Sequence, residues 1–128
     1  MTFLLDTQIA IWALFDDPHL SAEASAILSS RENTLQFSVC TIWEIAIKRA
    51  LRKPDFQHDP REIRRFLIRH GCAELPIQSE HVFEVDTLPP IHKDPFDRLL
   101  IAQAMVEGIT LLTADPLIAQ YPGPIRRI

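Results

Sequence analysis

Short apolar runs of strand length alternate with segments of helical periodicity along the chain, and this alternation limits the possible folds more than any other feature. The runs Phe3–Leu5, Leu35–Val39, Ala73–Ile77 and Ile109–Thr113 are predicted strands. Strands joined by helices form a parallel sheet, since each helix returns the chain to the start of the next strand. We therefore predict an α/β fold with a mostly parallel central sheet and an added edge strand at Ile125–Ile128.

Residues that start and stop helices delimit the segments between these strands. Ser21 is a typical N-cap, Gly71 a typical C-terminal stop, and Pro95 and Gly108 suit the first position and the end of one helix. The predicted helices are Ile9–Phe15, a helix beginning at Ser21, Thr41–Leu51, Arg61–His70, Ser79–Leu88 capped by Ser79, Asp94–Glu107 and a short Pro116–Gln120.

Composition sets the size and class of the protein. With 128 residues and 47% hydrophobic content, the chain is long enough for one core, so we expect a single domain over residues 1–128. It has no apolar run of the ~18 residues that a membrane span needs, and its start does not resemble a signal peptide, which predicts a cytoplasmic protein. Cys40 and Cys72 are expected to be buried free thiols, although a disulfide between them stays open. The net charge of −4 argues against a broadly basic nucleic-acid binder and requires a local basic patch instead.

Acidic residues stand where the predicted strands and helices meet. Asp6 directly follows the first strand and Asp115 follows the strand that ends at Thr113. Ligands of open parallel sheets bind outside the carboxyl ends of the strands, so both acids belong at the same edge. Glu44, near the start of the helix after the second strand, and Asp94 and Asp97, at the start of a later helix, are placed to join them.

Carboxylates gathered in this way repel one another and need a cation. At ~4 Å, each pair costs about 1 kcal/mol in water and about 4 kcal/mol at an effective dielectric of ~20. Oxygen ligands without a Cys or His cluster favour Mg²⁺ or Mn²⁺, which can activate water against a phosphodiester. Structural alternatives exist for most of the acids: Asp94 and Asp115 as caps, Asp97 at a helix dipole and Glu44 paired with Lys48. Asp6 is the hardest to explain structurally, because a charge gains little by ending an apolar strand.

Four stretches of the chain together resemble a known family. They are LLDT from Leu4 followed by Trp12, WEIAIK from Trp43, HKDPFDRLLIAQA from His92 and LLTAD from Leu111. The chain resembles the PIN-domain toxins of bacterial and archaeal toxin–antitoxin pairs, the VapC-like group, over nearly its whole length. DPFDRLLIAQA is the most specific stretch, whereas Gln8 and the segment from Ala50 to Pro54 depart from the family pattern.

The resemblance implies a three-layer α/β/α PIN-like fold and a Mg²⁺- or Mn²⁺-dependent endoribonuclease. It also implies a cognate antitoxin protein and, commonly, a homodimer. The residues that match the family's four acids are Asp6, Glu44, Asp97 and Asp115, and Asp94 matches an accessory acid that is either a ligand or only a helix cap. The hydroxyls of Thr7 and Thr113 match small residues near the metal, with a local turn or cap as the alternative.

Basic residues beside the acids are candidate contacts for the RNA backbone. Lys48 lies one turn after Glu44, and Arg98 follows Asp97 and can point into or out of the cleft. A solvated surface charge is the alternative for each. His92 adjoins the Asp94 segment and can contact the substrate there, but a surface position is its simpler interpretation.

Other enzyme classes with acids at strand ends fit less well. A haloacid-dehalogenase-like phosphatase needs a second Asp two residues after the first, where this chain has Gln8, and a receiver domain needs a late Lys, yet no Lys follows Lys93. The alternative that stays open is a catalytically inactive PIN-like module that binds RNA or a protein.

Overall fold

The computed structural model describes residues 1–128, which form five strands and six α-helices. The strands are β1 (Thr2–Leu5), β2 (Thr34–Ser38), β3 (Ala73–Leu75), β4 (Thr110–Thr113) and β5 (Ile125–Arg127). The helices are α1 (Thr7–Leu14), α2 (Ala22–Ser29), α3 (Val39–Ala50), α4 (Pro60–Arg69), α5 (Ser79–Val85) and α6 (Pro95–Glu107), with a 3₁₀ turn at Ile118–Gln120.

The strands form one sheet in the order β3-β2-β1-β4-β5, and every neighbouring pair is parallel. The predicted parallel sheet is thus confirmed, with Ile125–Arg127 as the expected edge strand. Because all strands run the same way, their carboxyl ends meet at one edge. The central strands β1 and β4 end there side by side, with Leu5 paired with Leu112.

Helices cover both faces of the sheet and make two separate hydrophobic clusters. Leu4 of β1 points into a cluster with residues of α6, whereas its neighbours Phe3 and Leu5 point into a cluster with residues of α1 and α4. Successive residues of a strand face opposite sides, so a strand buried on both faces is apolar throughout. The expected three-layer α/β/α arrangement is confirmed.

Several element boundaries differ from the prediction because local hydrogen bonds move them. Ser38 caps α3 by accepting from the Cys40 amide, so Val39, which was predicted to end a strand, is the first residue of the helix. Consequently Glu44 lies in the second turn of α3 rather than at its start. Helix α5 ends at Val85 rather than Leu88, and its N-cap is Gln78 rather than Ser79.

Cys40 and Cys72 are buried free thiols, as expected, and no disulfide joins them. Burial raises the pKa of Cys40 to about 12 and also raises that of Cys72, so both thiols stay protonated and unreactive at neutral pH. None of the helices combines the length and apolar character needed to cross a bilayer.

Candidate metal centre

A cleft of about 280 Å³ opens at the carboxyl edge of the sheet, and all five predicted acids line it. They come from the ends of β1 and β4, from α3 and from the first turn of α6. The acids are Asp6, Glu44, Asp94, Asp97 and Asp115. The structure therefore brings together residues that are far apart in sequence.

Asp6 is buried at the end of β1, and both of its carboxylate oxygens accept hydrogen bonds. Oδ1 accepts from the backbone amide of Ile9 at 2.7 Å, which makes Asp6 the N-cap of α1. Oδ2 accepts from the hydroxyl of Thr113 at 2.5 Å. Asp6 therefore does have a structural role, contrary to our expectation for a charge that ends an apolar strand, and that cap is why α1 begins at Thr7 instead of Ile9.

Glu44 is buried on α3 and pairs with a lysine one turn later. Its Oε2 lies 2.5 Å from Nζ of Lys48, and the same Nζ is 3.9 Å from Oδ2 of Asp94. The other oxygen, Oε1 of Glu44, is buried and has no hydrogen-bond partner. A buried carboxylate oxygen without a partner is costly, so this atom marks a position where a cation would be stabilising.

The first turn of α6 contributes two acids with different surroundings. Oδ1 of Asp94 accepts from the amides of Phe96 and Asp97 at 2.8 and 3.1 Å, which makes Asp94 the N-cap that the sequence allowed for. Asp97 lies three residues further on, and its Oδ2 is 2.8 Å from Nε2 of His92. Both acids line the cleft, but the helix backbone holds Asp94 whereas a side chain, His92, contacts Asp97.

Asp115 follows β4 and also lines the cleft. Its Oδ1 accepts from the amide of Leu117 at 2.8 Å, and its own amide donates to the Thr113 hydroxyl at 3.0 Å. Oδ2 of Asp115 lies 3.7 Å from Nε2 of His92. One ligand atom from each of His92, Asp97 and Asp115 fits within 4.8 Å of the others, a spacing suited to a metal ion.

Burial and mutual repulsion disfavour the charged forms of two of these acids. Burial raises the pKa of Asp6 to about 6, with the charges of Glu44 and Asp115 acting in the same direction against the hydrogen bonds from Thr113 and Ile9. Burial also raises the pKa of Asp97 to about 7, assisted by the charges of Asp94 and Glu44. Raised carboxyl pKa values in a cleft are typical of functional sites.

The donor set fits a hard divalent cation. The five acids that line the cleft offer carboxylate oxygens, one of them unpartnered and buried, and the cleft disfavours their uncompensated negative charge. Such ligands suit Mg²⁺ or Mn²⁺ better than Zn²⁺, for which Cys and His are the usual partners.

Of the four predicted substrate contacts, two threonines bind other protein side chains, Lys48 is ion-paired in the cleft and Arg98 lies outside it. Thr7 lines the cleft, with its hydroxyl 3.0 Å from that of buried Thr41, and the Thr113 hydroxyl binds Asp6. Lys48 reaches the cleft but is ion-paired there. Arg98 points away from the acids, and its guanidinium donates to the carbonyls of Pro89 and Val85 at 2.9 and 3.2 Å.

Sequence reasoning missed two residues of the site. A surface position was the simpler interpretation of His92, yet its ring contacts Asp97 and its side chain is 17% exposed. Tyr121 also belongs to the site, because its hydroxyl accepts a hydrogen bond from the His92 amide. The adjacency of His92 to the Asp94 segment was the available signal, whereas nothing local marks Tyr121.

The fold and the site define a three-layer α/β/α domain with an acidic cleft at the carboxyl edge of its parallel sheet. The family model for the PIN domain matches residues 3–124, and the chain belongs to that family. Among curated proteins, none matches the sequence significantly.

Solved structures share the fold at low sequence identity. A chain of VapBC2 from Rickettsia felis, bound to a DNA fragment from its promoter, is 17% identical with a TM-score of 0.73, covering 99% of this chain and 98% of that one. A chain of DNA-bound VapBC from Salmonella typhimurium is also 17% identical, with a TM-score of 0.66 and the same coverage. VapBC-5 from Mycobacterium tuberculosis has a chain at 13% identity and a TM-score of 0.63, covering 99% and 97%.

Proposed function

We propose that this chain is a metal-dependent endoribonuclease, the toxin of a toxin–antitoxin pair, and that residues 1–128 are its single nuclease domain. The observation that carries the proposal is the convergence of five carboxylates on one cleft, where Oε1 of Glu44 is buried without a partner. A bound cation would compensate this charge, and a cation held by acids at a sheet edge can activate water against a phosphodiester.

Each acid has a part in this proposal. Asp6, Glu44, Asp97 and Asp115 hold Mg²⁺ or Mn²⁺, and Asp94 supports them as the cap that fixes the start of α6. When bound, the ion supplies Lewis acidity toward water and the phosphodiester. Thr113 orients Asp6 through its hydroxyl and thereby keeps one acid in place in the cleft.

The substrate contacts follow from where the side chains point. We propose that Lys48 contacts a backbone phosphate, because its Nζ lies in the cleft between Glu44 and Asp94. Burial lowers the pKa of Lys48, but its hydrogen bond to Glu44 and the charges of Glu44, Asp94 and Asp97 outweigh this and raise it, so the ammonium stays charged. The hydroxyls of Thr7 and Thr113 orient protein side chains, Thr41 and Asp6 respectively. Arg98 donates to backbone carbonyls outside the cleft, so any contact that it makes with RNA lies outside the cleft too.

Protein partners form the remaining part of the proposal. The solved structures that share this fold include VapBC complexes, and we propose a cognate antitoxin for this chain too. We also propose a homodimer, because Trp43, Ile47 and Leu51 form an exposed apolar stripe along α3.

Cleavage of total RNA by the purified chain tests the function. The wild type is expected to release fragments with Mn²⁺ but not with EDTA, and Asp97→Asn is expected to lose at least about a hundredfold of this activity. Asp86→Asn, which removes an exposed carboxylate at the end of α5, is the matched control and should cleave like the wild type. Expression in cells provides a second arm, in which the wild type but not Asp97→Asn should arrest growth.

Two outcomes would contradict the proposal. Equal cleavage with EDTA would exclude a metal-dependent reaction, and equal cleavage by Asp97→Asn would exclude this cleft. Folded wild-type protein that binds RNA without cleaving it would favour the inactive module.

A further inference from the structure

His92 is the one side chain without a carboxylate that contacts the acids of both α6 and β4. It lies in the loop between α5 and α6, and its Nε2 is 2.8 Å from Oδ2 of Asp97 and 3.7 Å from Oδ2 of Asp115. Neither the fold nor the four acids that match the family pattern explain why an imidazole lies at this point of the cleft.

The hydrogen bonds of the ring determine which nitrogen carries its proton. The backbone amide of Lys93 donates to Nδ1 of His92 at 3.1 Å, so Nδ1 is an acceptor. The ring proton therefore lies on Nε2 and is donated to Asp97. Both nitrogens are thus occupied, and His92 meets the acid as a hydrogen-bond donor.

The backbone of His92 is itself fixed by hydrogen bonds to a buried tyrosine, Tyr121. The His92 amide donates to the Tyr121 hydroxyl at 2.7 Å, and that hydroxyl is 3.3 Å from the His92 carbonyl. The guanidinium of Arg98 donates to the same hydroxyl at 3.0 Å and also to carbonyls at the end of α5. Arg98 and Tyr121 together fix the backbone from which the ring projects.

We infer that His92 is a positioning residue, which orients Asp97 for the divalent cation and is itself fixed by Tyr121 and Arg98. The inference rests on the proposed metal site and deepens it. By occupying Oδ2, the imidazole leaves Oδ1 of Asp97 for the ion and restricts rotation of the carboxylate. Outer partners of this type commonly change metal affinity by about 10–100-fold when they are removed.

This role explains two features of the structure that the proposed nuclease mechanism does not explain. It accounts for the direction of Arg98, which lies next to Asp97 in sequence yet turns away from the cleft. It also accounts for the buried hydroxyl of Tyr121, whose hydrogen bonds end at the loop that carries His92. To act as a metal ligand through Nε2, His92 would have to give up its hydrogen bond to Asp97.

Calorimetric titration of Mn²⁺ into the EDTA-stripped, full-length protein tests the inference. His92→Ala is expected to weaken Mn²⁺ binding by about 10–100-fold. His92→Gln is expected to retain most of the affinity, because its amide nitrogen reaches about as far as Nε2 and donates to Asp97, whereas His92→Asn places its amide too close to the backbone and should not. Tyr121→Phe should weaken binding in the same direction but less.

A matched control is provided by another histidine–aspartate pair. His19 contacts Asp17 at 2.6 Å in an exposed loop outside the acidic cleft, so His19→Ala should leave Mn²⁺ affinity unchanged. Thermal unfolding of each EDTA-treated variant separates loss of folding from loss of metal binding. If His92→Ala does not fold, the comparison of His92→Gln with His92→Asn still decides.

The outcomes distinguish the inference from the function on which it rests. Wild-type affinity in folded His92→Ala would overturn the positioning role while leaving the metal site intact. A selective loss of Mn²⁺ over Mg²⁺ binding in both His92→Ala and His92→Gln would also overturn it, since that pattern is typical of a nitrogen ligand. No Mn²⁺ binding by the wild type would overturn the proposed metal site and the inference with it.

Discussion

Asp6 caps a helix and also faces the acidic cleft, and these two roles have opposite electrostatic requirements. As the N-cap of α1 it accepts a hydrogen bond from Ile9, and in the cleft it is buried near Glu44 and Asp115. An asparagine keeps the cap, since Asn is among the favoured N-cap residues, but removes the charge. The substitution therefore separates the two roles.

We predict that Asp6→Asn stabilises the metal-free protein in a pH-dependent way. The pKa of Asp6 is raised from 3.8 to about 6 in the folded state, so its favourable contribution is present below about pH 4 and is lost as the pH rises through about 6. The variant should match the wild type near about pH 3, below both pKa values, and exceed it by about 3 kcal/mol at about pH 8.

Urea unfolding in EDTA at several pH values measures this difference. Asp86→Asn, on an exposed turn, should show no such dependence on pH. A variant that is less stable than the wild type under alkaline conditions would mean that the charge of Asp6 is needed for folding, and it would move this residue from the metal site to a structural role.

Among the elements, α5 and α6 are joined by a buried polar network that lies outside the proposed chemistry. His81 of α5 is fully buried, with Nδ1 accepting from the Gln78 amide at 3.0 Å and Nε2 lying 3.0 Å from Oε2 of Glu107. Gln103 of α6 contacts the same Nδ1 and also accepts from Ser38, the cap of α3. The network thus ties the helix that carries Asp97 to the helix that carries Glu44.

We predict that His81→Leu lowers the free energy of unfolding by about 1–3 kcal/mol, because it leaves buried polar partners without their hydrogen bonds. Urea denaturation at neutral pH measures the effect. His70→Leu, at the exposed end of α4, is the control and should change stability by less than about 0.5 kcal/mol. A His81→Leu variant as stable as the wild type would show that packing alone joins these helices.

For the molecule as a whole, the exposed stripe on α3 is the clearest candidate for an interface. Trp43, Ile47 and Leu51 are 48%, 41% and 64% exposed and follow one another at helical spacing, so they lie on one face of the helix. Burying such an apolar surface against a partner is favourable, because it removes apolar area from water.

We predict that the purified chain is a dimer by light scattering at tens of micromolar, and that combined Ile47→Asp and Leu51→Asp substitutions make it a monomer with unchanged helix content. Buried charges without partners would oppose the association. Val106→Asp, at an exposed apolar position of α6, should leave the dimer intact. A monomeric wild type, or a double variant that still dimerises, would contradict this interface.

The sequence by itself determined the features that depend on local order. The alternation of apolar strands with capped helices predicted the parallel sheet, and the rule that ligands bind at its carboxyl edge was enough to place Asp6 and Asp115 at the same edge. Asp94 with Pro95 and Gly108 marked the limits of α6 correctly, because a cap, a first-turn proline and a C-terminal glycine act within a few residues.

Only the tertiary structure decided how side chains from distant segments meet. It turned Arg98 away from the cleft, brought His92 to Asp97 and Asp115, and set Tyr121 behind His92. It also left Oε1 of Glu44 buried and without a partner. These contacts depend on rotamers and on packing between elements, whose energies come from neighbours that sequence spacing does not specify.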